Sequence, residues 1–433
     1  MIGVKPVKYR LLAGAACAAL TMLCAPASAA TTPGSSAASM SAGQAIDMFY
    51  ASRRGAPLWL RGGADSSAAH DLIGILDRAP IDGFARGPAL AARAQGLMSR
   101  GDPASLSAAD RLLSAAWVLY VQALQRPPTG MIYADNWARP RIQTPAQILA
   151  RAAAAHSLQA HVRSVAQVNP LYDRLRAAGW AEMQQTGHVD PRVLVSMDRV
   201  REMPFQKRYI IVDSAAARLY MIEDGRIADS MRVIVGKASP GTQTPMLAST
   251  IYYATLNPYW HVAPEMIRSL TAKNVLEQGL TYLTSRGYQV MPADGSDRLL
   301  DPAKVDWHAV ANGTETVRVR QLPGPANSMG DIKFGFPNKY DIYLHDTPKK
   351  ALFEQADRDL SHGCIRLEDA EKLGRWLLGR DPRTASNEPE QHELLPTPVP
   401  IYLTYLTAQV KDGQLSFVDD VYGRDAERVA ALR

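Results

Sequence analysis

An α+β chain of two unlike halves is what this sequence predicts, and three observations carry the prediction. From about Gln44 to Arg201 the chain is alanine-rich, with apolar residues at helical spacing. From Pro204 it turns to short β-branched runs separated by Gly/Pro turns. A longer mixed segment, residues 257–318, interrupts those runs. The expectation is therefore a helical domain over 44–203 and a mostly antiparallel β domain, sandwich- or barrel-like, over 204–410. The 257–318 insertion is expected to act as a lid or substrate wall, and 411–433 form a C-terminal extension.

The N-terminus has the three-part layout of a secretory signal. Lys5, Lys8 and Arg10 form a positive start, Leu11 to Leu23 is apolar, and Ala27-Ser28-Ala29 is a small-x-small cleavage site. The apolar run falls short of the roughly 20 residues a membrane span needs. Residues 1–29 are thus expected to be removed on export to the periplasm. Residues 30–43, rich in Ser, Ala, Thr and Gly, read as a flexible tether. Cleavage removes three of 48 basic residues and none of 42 acidic ones, so the charge falls from +6 to +3. With no basic run or basic–aromatic interleaving, nothing points to nucleic acid. Beyond the signal no stretch is apolar enough to span a bilayer.

Within the first half a helix is expected from Ser107 through Gln125, where Leu112, Leu113, Ala116, Trp117, Tyr120 and Leu124 keep helical spacing. Thr144-Pro145-Ala146-Gln147 combines a capping box with proline at the first position and opens a helix to about Val165. Asn169-Pro170 and Asp190-Pro191 start two more, toward Ala178 and Arg201. His70, His156, His161 and His188 do not cluster in sequence and read as structural.

In the second half, strands are expected at 208–213, 218–222 and 227–235, the last two joined by the Glu223-Asp224-Gly225-Arg226 turn. More follow at 249–255, 316–321, 342–344 and 400–410, the last ending in a turn at 411–414. Glu368 to Leu378 reads as a helix.

Cys17 and Cys24 both lie in the signal, so the exported chain keeps Cys364 alone. A lone thiol cannot form an intramolecular disulfide, and its retention in an oxidising compartment points to reactivity. Cys364 sits in Ser361-His362-Gly363-Cys364-Ile365-Arg366-Leu367, and His345 lies 19 residues upstream in Tyr343-Leu344-His345-Asp346-Thr347-Pro348. A thiolate formed by a nearby imidazole attacks carbonyls readily. His345, arriving from a separate strand, aims at sulfur more freely than His362. Their mutual charge stabilisation is expected to hold a thiolate–imidazolium pair. Gly363 allows close backbone approach, and its amide or that of Cys364 is a candidate oxyanion donor. Tyr343, Ser361, His362 and Arg366, with Trp260 from the insertion, are the candidate substrate contacts. His345, Asp346, His362 and Cys364 are all potential zinc ligands, yet no metal-binding spacing is present, so neither a metal nor an organic cofactor is expected.

The Tyr343–Pro348 and Ser361–Leu367 motifs together resemble the signature of L,D-transpeptidases, the YkuD-type catalytic domain. Further pieces agree: Met231-Arg232-Val233-Ile234-Val235-Gly236 with Thr244-Pro245, Asn257-Pro258-Tyr259-Trp260, Arg320-Gln321-Leu322-Pro323-Gly324-Pro325 and Phe334-Gly335-Phe336-Pro337-Asn338. The likeness runs from about Pro204 to Thr407. Asp47 to Arg201, with Phe49-Tyr50 and Pro57-Leu58-Trp59, is similar to the helical scaffold domain of the family's large periplasmic branch. That branch usually inserts a peptidoglycan-binding module after the scaffold, and Trp180 to Met203 is too short to hold one. The resemblance implies a two-step acyl transfer between peptidoglycan stem peptides. Cys364 releases D-alanine from a tetrapeptide donor and forms a thioester. His345 moves the protons, and an amine of a second stem completes a 3→3 cross-link. Water or a protein lysine as acceptor, or a wall-binding protein with a vestigial thiol, are the alternatives. Carbapenem-type β-lactams are implied as covalent inhibitors.

Overall fold

The computed structural model describes residues 41–201, 206–384 and 388–431. The expected signal, most of the tether and the 203/204 domain boundary lie outside these described residues.

Eight helices build the first half: α1 (Ala42–Ser52), α2 (Ser67–Arg78), α3 (Gly87–Met98), α4 (Pro103–Leu124), α5 (Pro145–Ala154), α6 (Leu158–Val165), α7 (Pro170–Thr186) and α8 (Pro191–Arg199). Their caps explain where expectation and structure part. Ser41 and Gln44 form a reciprocal capping box, so α1 begins inside the stretch read as tether. Asp102 accepts from the Ser105 amide and Pro103 takes the first position, which starts α4 a turn earlier than expected. The single helix expected from Thr144 to Val165 is two, because Ser157 caps a fresh start by accepting from the Ala160 amide at 3.1 Å. α7 runs beyond Ala178 and stops where Gly187 adopts φ 79°. Trp59, Trp117, Tyr120, Leu72, Leu76 and Leu113 fill the core between these helices. Each such leucine contributes about 1.5–3 kcal/mol by burial.

One buried carboxylate organises this half. Asp110 on α4 accepts from the backbone amides of Leu58, Trp59 and Leu60 at 2.7–2.8 Å and from the Tyr50 hydroxyl. The turn that carries Trp59 is thereby fixed against α4. A buried carboxylate is tolerated only with such a full set of donors.

The β half comprises β2 (Arg208–Asp213), β3 (Arg218–Glu223), β4 (Arg226–Gly236), β5 (Leu247–Leu256), β9 (Ile332–Gly335), β10 (Tyr343–His345), β11 (Asp359–Ser361), β12 (Ile365–Leu367) and β13 (Gln391–Thr404). These join β1 (Ile132–Tyr133), contributed by the first half, in a ten-stranded sheet. Its order is β1-β5-β13-β2-β3-β4-β12-β10-β9, and a further β5–β9 pairing closes it into a barrel with β1 and β11 as side strands. Most neighbours are antiparallel, but β10 with β12, β13 with β2, β11 with β4 and β1 with β5 run parallel. β13 starts at Gln391, earlier than the expected strand at Pro400. Its register shifts between Leu394 and Val399, where Pro396 and Pro398 cannot donate to a ladder. Helix α13 (Ala370–Leu378) sets Leu373 and Leu377 into the barrel core. α7 and α8 share a second core with Tyr209, Ile211 and Tyr402 of the sheet.

The insertion has its own core and its own three-stranded sheet: β6 (Trp260–His261), β8 (Val317–Gln321) and β7 (Tyr288–Pro292), in that order. Over it runs a continuous helical segment made of α9 (Pro264–Met266), a π-helical stretch (Ile267–Ala272) and α10 (Lys273–Gln278), followed by α11 (Thr281–Thr284) and α12 (Trp307–Asn312). A hairpin of β14 (Ala408–Lys411) and β15 (Gln414–Phe417) precedes the last helix, α14 (Ala426–Ala430). Among the described residues, no helix is long and apolar enough to cross a membrane.

Candidate active site

Pairing of β10 with β12 brings the two sequence motifs together. β10 and β12 are parallel neighbours, with Leu344 opposite Ile365 and His345 opposite Arg366. Parallel strands need a crossover, and residues 346–364 supply it. Tyr343 and His345, two apart on β10, share a face: their rings lie 5.7 Å apart at 63°. Leu344 between them is fully buried in the barrel core.

Cys364 ends a tightly held loop. Gly363 before it has φ 115°, a conformation that only glycine adopts readily. The Ser361 hydroxyl donates to the Cys364 carbonyl at 2.6 Å and accepts from the Gly363 amide at 3.1 Å. The Thr244 hydroxyl donates to the Gly363 carbonyl at 2.9 Å. Ser361, expected at the substrate, is thus the internal brace of this loop. The Gly363 amide, expected as an oxyanion donor, is occupied by that brace.

The Cys364 thiol is half-buried and donates to the Asp341 carbonyl at 3.6 Å. Burial raises its pKa, while hydrogen bonds from the Tyr343 amide and hydroxyl and the charge of Arg366 pull the other way. His345 is buried at 3% exposure, and its Nδ1 lies 2.6 Å from the Asp346 carbonyl. A carbonyl can only accept, so Nδ1 carries the proton and Nε2 keeps the lone pair. The Asp346 carboxylate points elsewhere, to Lys350 at 2.6 Å and the Asp331 amide at 3.1 Å. Burial first, and the nearby Arg366 charge second, push the His345 pKa down to about 3. Both shifts favour the neutral forms. Burial thus works against the expected thiolate–imidazolium pair at both groups.

Cys364, His345, Tyr343, Ser361, His362, Arg366 and Trp260 all line one cavity of about 470 Å³. The insertion roofs it with Met266, Leu270 and Asn274, and walls it with Tyr282, Arg286 and Tyr288. Trp260 packs against Tyr288, whose ring stacks on Tyr282 at 5.8 Å. Arg286, Lys349 and Arg366 supply positive charge, and among the described residues no carboxylate side chain lines the cavity. Sequence reading missed Arg286 and Lys349, since neither lies in a motif. Among the described residues no three His, Cys, Asp or Glu side chains converge as a cation site.

A thiol and an imidazole in one cavity, on a closed β barrel under an inserted roof, define the class of this domain. Residues 207–401 match the L,D-transpeptidase catalytic domain family named YkuD, and residues 44–178 match a scaffold domain family. A Haemophilus influenzae protein provisionally named an L,D-transpeptidase is 26% identical over 395 residues, covering 88% of this chain and 78% of its own. Among solved structures, an L,D-transpeptidase from Mycobacterium smegmatis is 12% identical over 46% of this chain and 58% of that one, with a TM-score of 0.24. L,D-transpeptidase 3 from Mycobacterium tuberculosis, bearing a faropenem-derived adduct, is 15% identical over 46% and 61%, with a TM-score of 0.23. The match thus spans about three-fifths of each of those two solved chains. The protein carries a YkuD L,D-transpeptidase catalytic domain together with a scaffold domain.

Proposed function

We propose that this protein is an exported peptidoglycan L,D-transpeptidase that forms 3→3 cross-links through a Cys364 thioester. The observation that carries the reading is the cavity itself, lined by both Cys364 and His345 together with three cationic side chains and, among the described residues, no acid. Such a lining suits a stem peptide rich in carboxylates.

Cys364 attacks the carbonyl at the L-centre of diaminopimelate in a tetrapeptide stem. Because burial favours the neutral form of both groups, His345 Nε2 takes the thiol proton during attack, as a general base. The thiol first leaves its Asp341 contact. The Cys364 amide donates to the oxyanion, since the Gly363 amide is held by Ser361. Collapse breaks the C–N bond, and the imidazolium returns its proton to the departing D-alanine amine. The amine of a second stem then attacks the thioester and gives its proton to His345; the C–S bond breaks as the amide forms, and the imidazolium returns the proton to sulfur. Arg366, Arg286 and Lys349 hold substrate carboxylates, and Trp260, Tyr282 and Tyr288 cover the apolar stem. The faropenem-derived adduct of the M. tuberculosis relative supports the same carbonyl chemistry with β-lactams here.

The test incubates the purified chain, residues 30–433, with tetrapeptide muropeptides and reads products by mass spectrometry. Wild type is expected to yield dimers with one D-alanine lost per link, and Cys364→Ala none, with unchanged melting. Water as acceptor appears as tripeptide instead. A wild type that leaves muropeptides unaltered and gains no mass from a carbapenem refutes the reading.

A further inference from the structure

The catalytic match ends at residue 401, yet the chain beyond it reaches back to the nucleophile loop. We infer that Tyr422, in the C-terminal extension, is a positioning residue for Cys364, acting through Gly236, Thr244 and Gly363; this rests on the reading of Cys364 as the nucleophile. The Tyr422 hydroxyl donates to the Gly236 carbonyl at 2.5 Å and accepts from the Thr244 amide at 3.4 Å. Thr244 in turn accepts from the Gly236 amide at 3.0 Å and donates to the Gly363 carbonyl at 2.9 Å. Four hydrogen bonds thus connect the extension to the residue that precedes the thiol.

The connection is stiff at both ends. A Cβ on Gly236 would meet the Thr242 carbonyl oxygen at 1.9 Å and the Thr244 nitrogen at 2.7 Å, so the 236 and 244 backbones lie in direct contact. At the other end Tyr422 stacks on Tyr405 at 5.0 Å, and its amide donates to the Tyr405 hydroxyl. The Arg424 guanidinium covers both rings and donates to the Gln243 side chain and the Thr244 carbonyl. Asp420 closes the turn by accepting from the Arg424 and Asp425 amides. Asp425 is itself paired with Arg199 of α8 at 2.5 Å and bonded to Thr407. The network ties this segment down at several points. Here the network fixes one buried hydroxyl against the end of β4 at Gly236 and against Thr244, whose hydroxyl holds the Gly363 carbonyl.

The hydroxyl, not the ring, is the linking group, so Tyr422→Phe removes the link and keeps the stack. Removing one hydrogen bond from a coupled chain is worth about tenfold in rate where it fixes a reacting group. The expected result is a tenfold lower kcat and carbapenem acylation rate, with KM and melting close to wild type. Thr244→Val interrupts the same chain nearer Cys364. The double variant is expected to be no slower than Thr244→Val alone, because both substitutions cut one line. Wild-type rates for Tyr422→Phe, losses that multiply in the double variant, or a loss explained entirely by unfolded protein would each overturn the inference. Alkylation of Cys364 by iodoacetamide separates this from failure of the transpeptidase reading. Should wild type neither cross-link nor take carbapenem, an altered alkylation rate in Tyr422→Phe still supports the positioning role, and an unaltered one sinks it.

Discussion

Asp110 in the helical half and His345 in the barrel are equally shut off from water, at 1% and 3% exposure, yet the fold treats them in opposite ways. Asp110 receives three backbone amides and a tyrosine hydroxyl, so its charge is fully answered. Among the described residues His345 has one hydrogen bond, at Nδ1, and lines the cavity that Cys364 also lines. A saturated buried polar group is a piece of architecture. A buried group left short of partners and pushed down to a pKa of about 3 stores a capacity that only a bound substrate uses. Substitution should therefore damage stability at one and chemistry at the other.

The largest expected effect is at His345. His345→Gln keeps a side chain that can hydrogen-bond but cannot carry the proton from sulfur to the leaving amine. kcat/KM for cross-linking is expected to fall by about 10²–10⁴-fold, with melting near wild type. Steady-state muropeptide assays read this directly, and a loss below tenfold would remove His345 from the proton path.

Asp110→Ala is the mirror image. It orphans three buried amides at about 1–3 kcal/mol each, so denaturant unfolding of the helical half is expected to ease by about 4 kcal/mol. The rate per folded molecule should stay within twofold of wild type. If activity drops while unfolding is unchanged, the contrast between the two halves is wrong.

Much of that contrast could be read from residue order. The Cys364 and His345 motifs, the β-branched runs and the proline-capped starts of α5, α7 and α8 all depend on local signals, and the strands and helix starts fall where those signals put them. What the sequence hid is non-local. The break between α5 and α6 follows from a single serine cap within an alanine-rich run, where helical periodicity continues on both sides. Closure of the barrel through β5 and β9 joins residues with no shared motif. The shifts of the two site groups are hidden for the same reason. Spacing pairs a thiol motif with an imidazole motif, but burial shifts how each of them titrates, and burial is a property of the packed molecule. Arg286 was invisible because its place in the cavity depends on how the insertion folds over the barrel.

That residue gives the next prediction in size. Arg286 stacks on Tyr282 and faces the cavity from the insertion. Arg286→Ala is expected to raise KM for a tetrapeptide donor about tenfold, the worth of one charge-assisted hydrogen bond, with kcat little changed. A stem analogue amidated at its carboxylates should lose that discrimination between wild type and variant. Equal KM values for both proteins on the carboxylate donor would show that the insertion roofs the site without reading its charge.

The smallest effect is the one that tests burial of the imidazole most directly. A histidine at its ordinary pKa of about 6.5 would lose roughly thirtyfold of its neutral form between pH 7 and pH 5. With the pKa at about 3, His345 stays neutral across that range, so kcat/KM should change by less than about twofold. On the alkaline side the buried thiol keeps its proton above the ordinary cysteine range, so no decline is expected near neutrality. Melting curves are the wrong readout, because two buried groups oppose each other. Keeping His345 neutral costs stability as pH falls below 6.5, where the unfolded chain takes up a proton that the native one refuses. Asp213, whose carboxyl is pushed by burial up to about 6, gains stability as pH falls from 6 toward 4, since the native state binds its proton first. Activity isolates the imidazole from that cancellation. An acid limb near pH 6.5 would mean that water or a counter-charge reaches His345, and the resting pair would then be ionic after all.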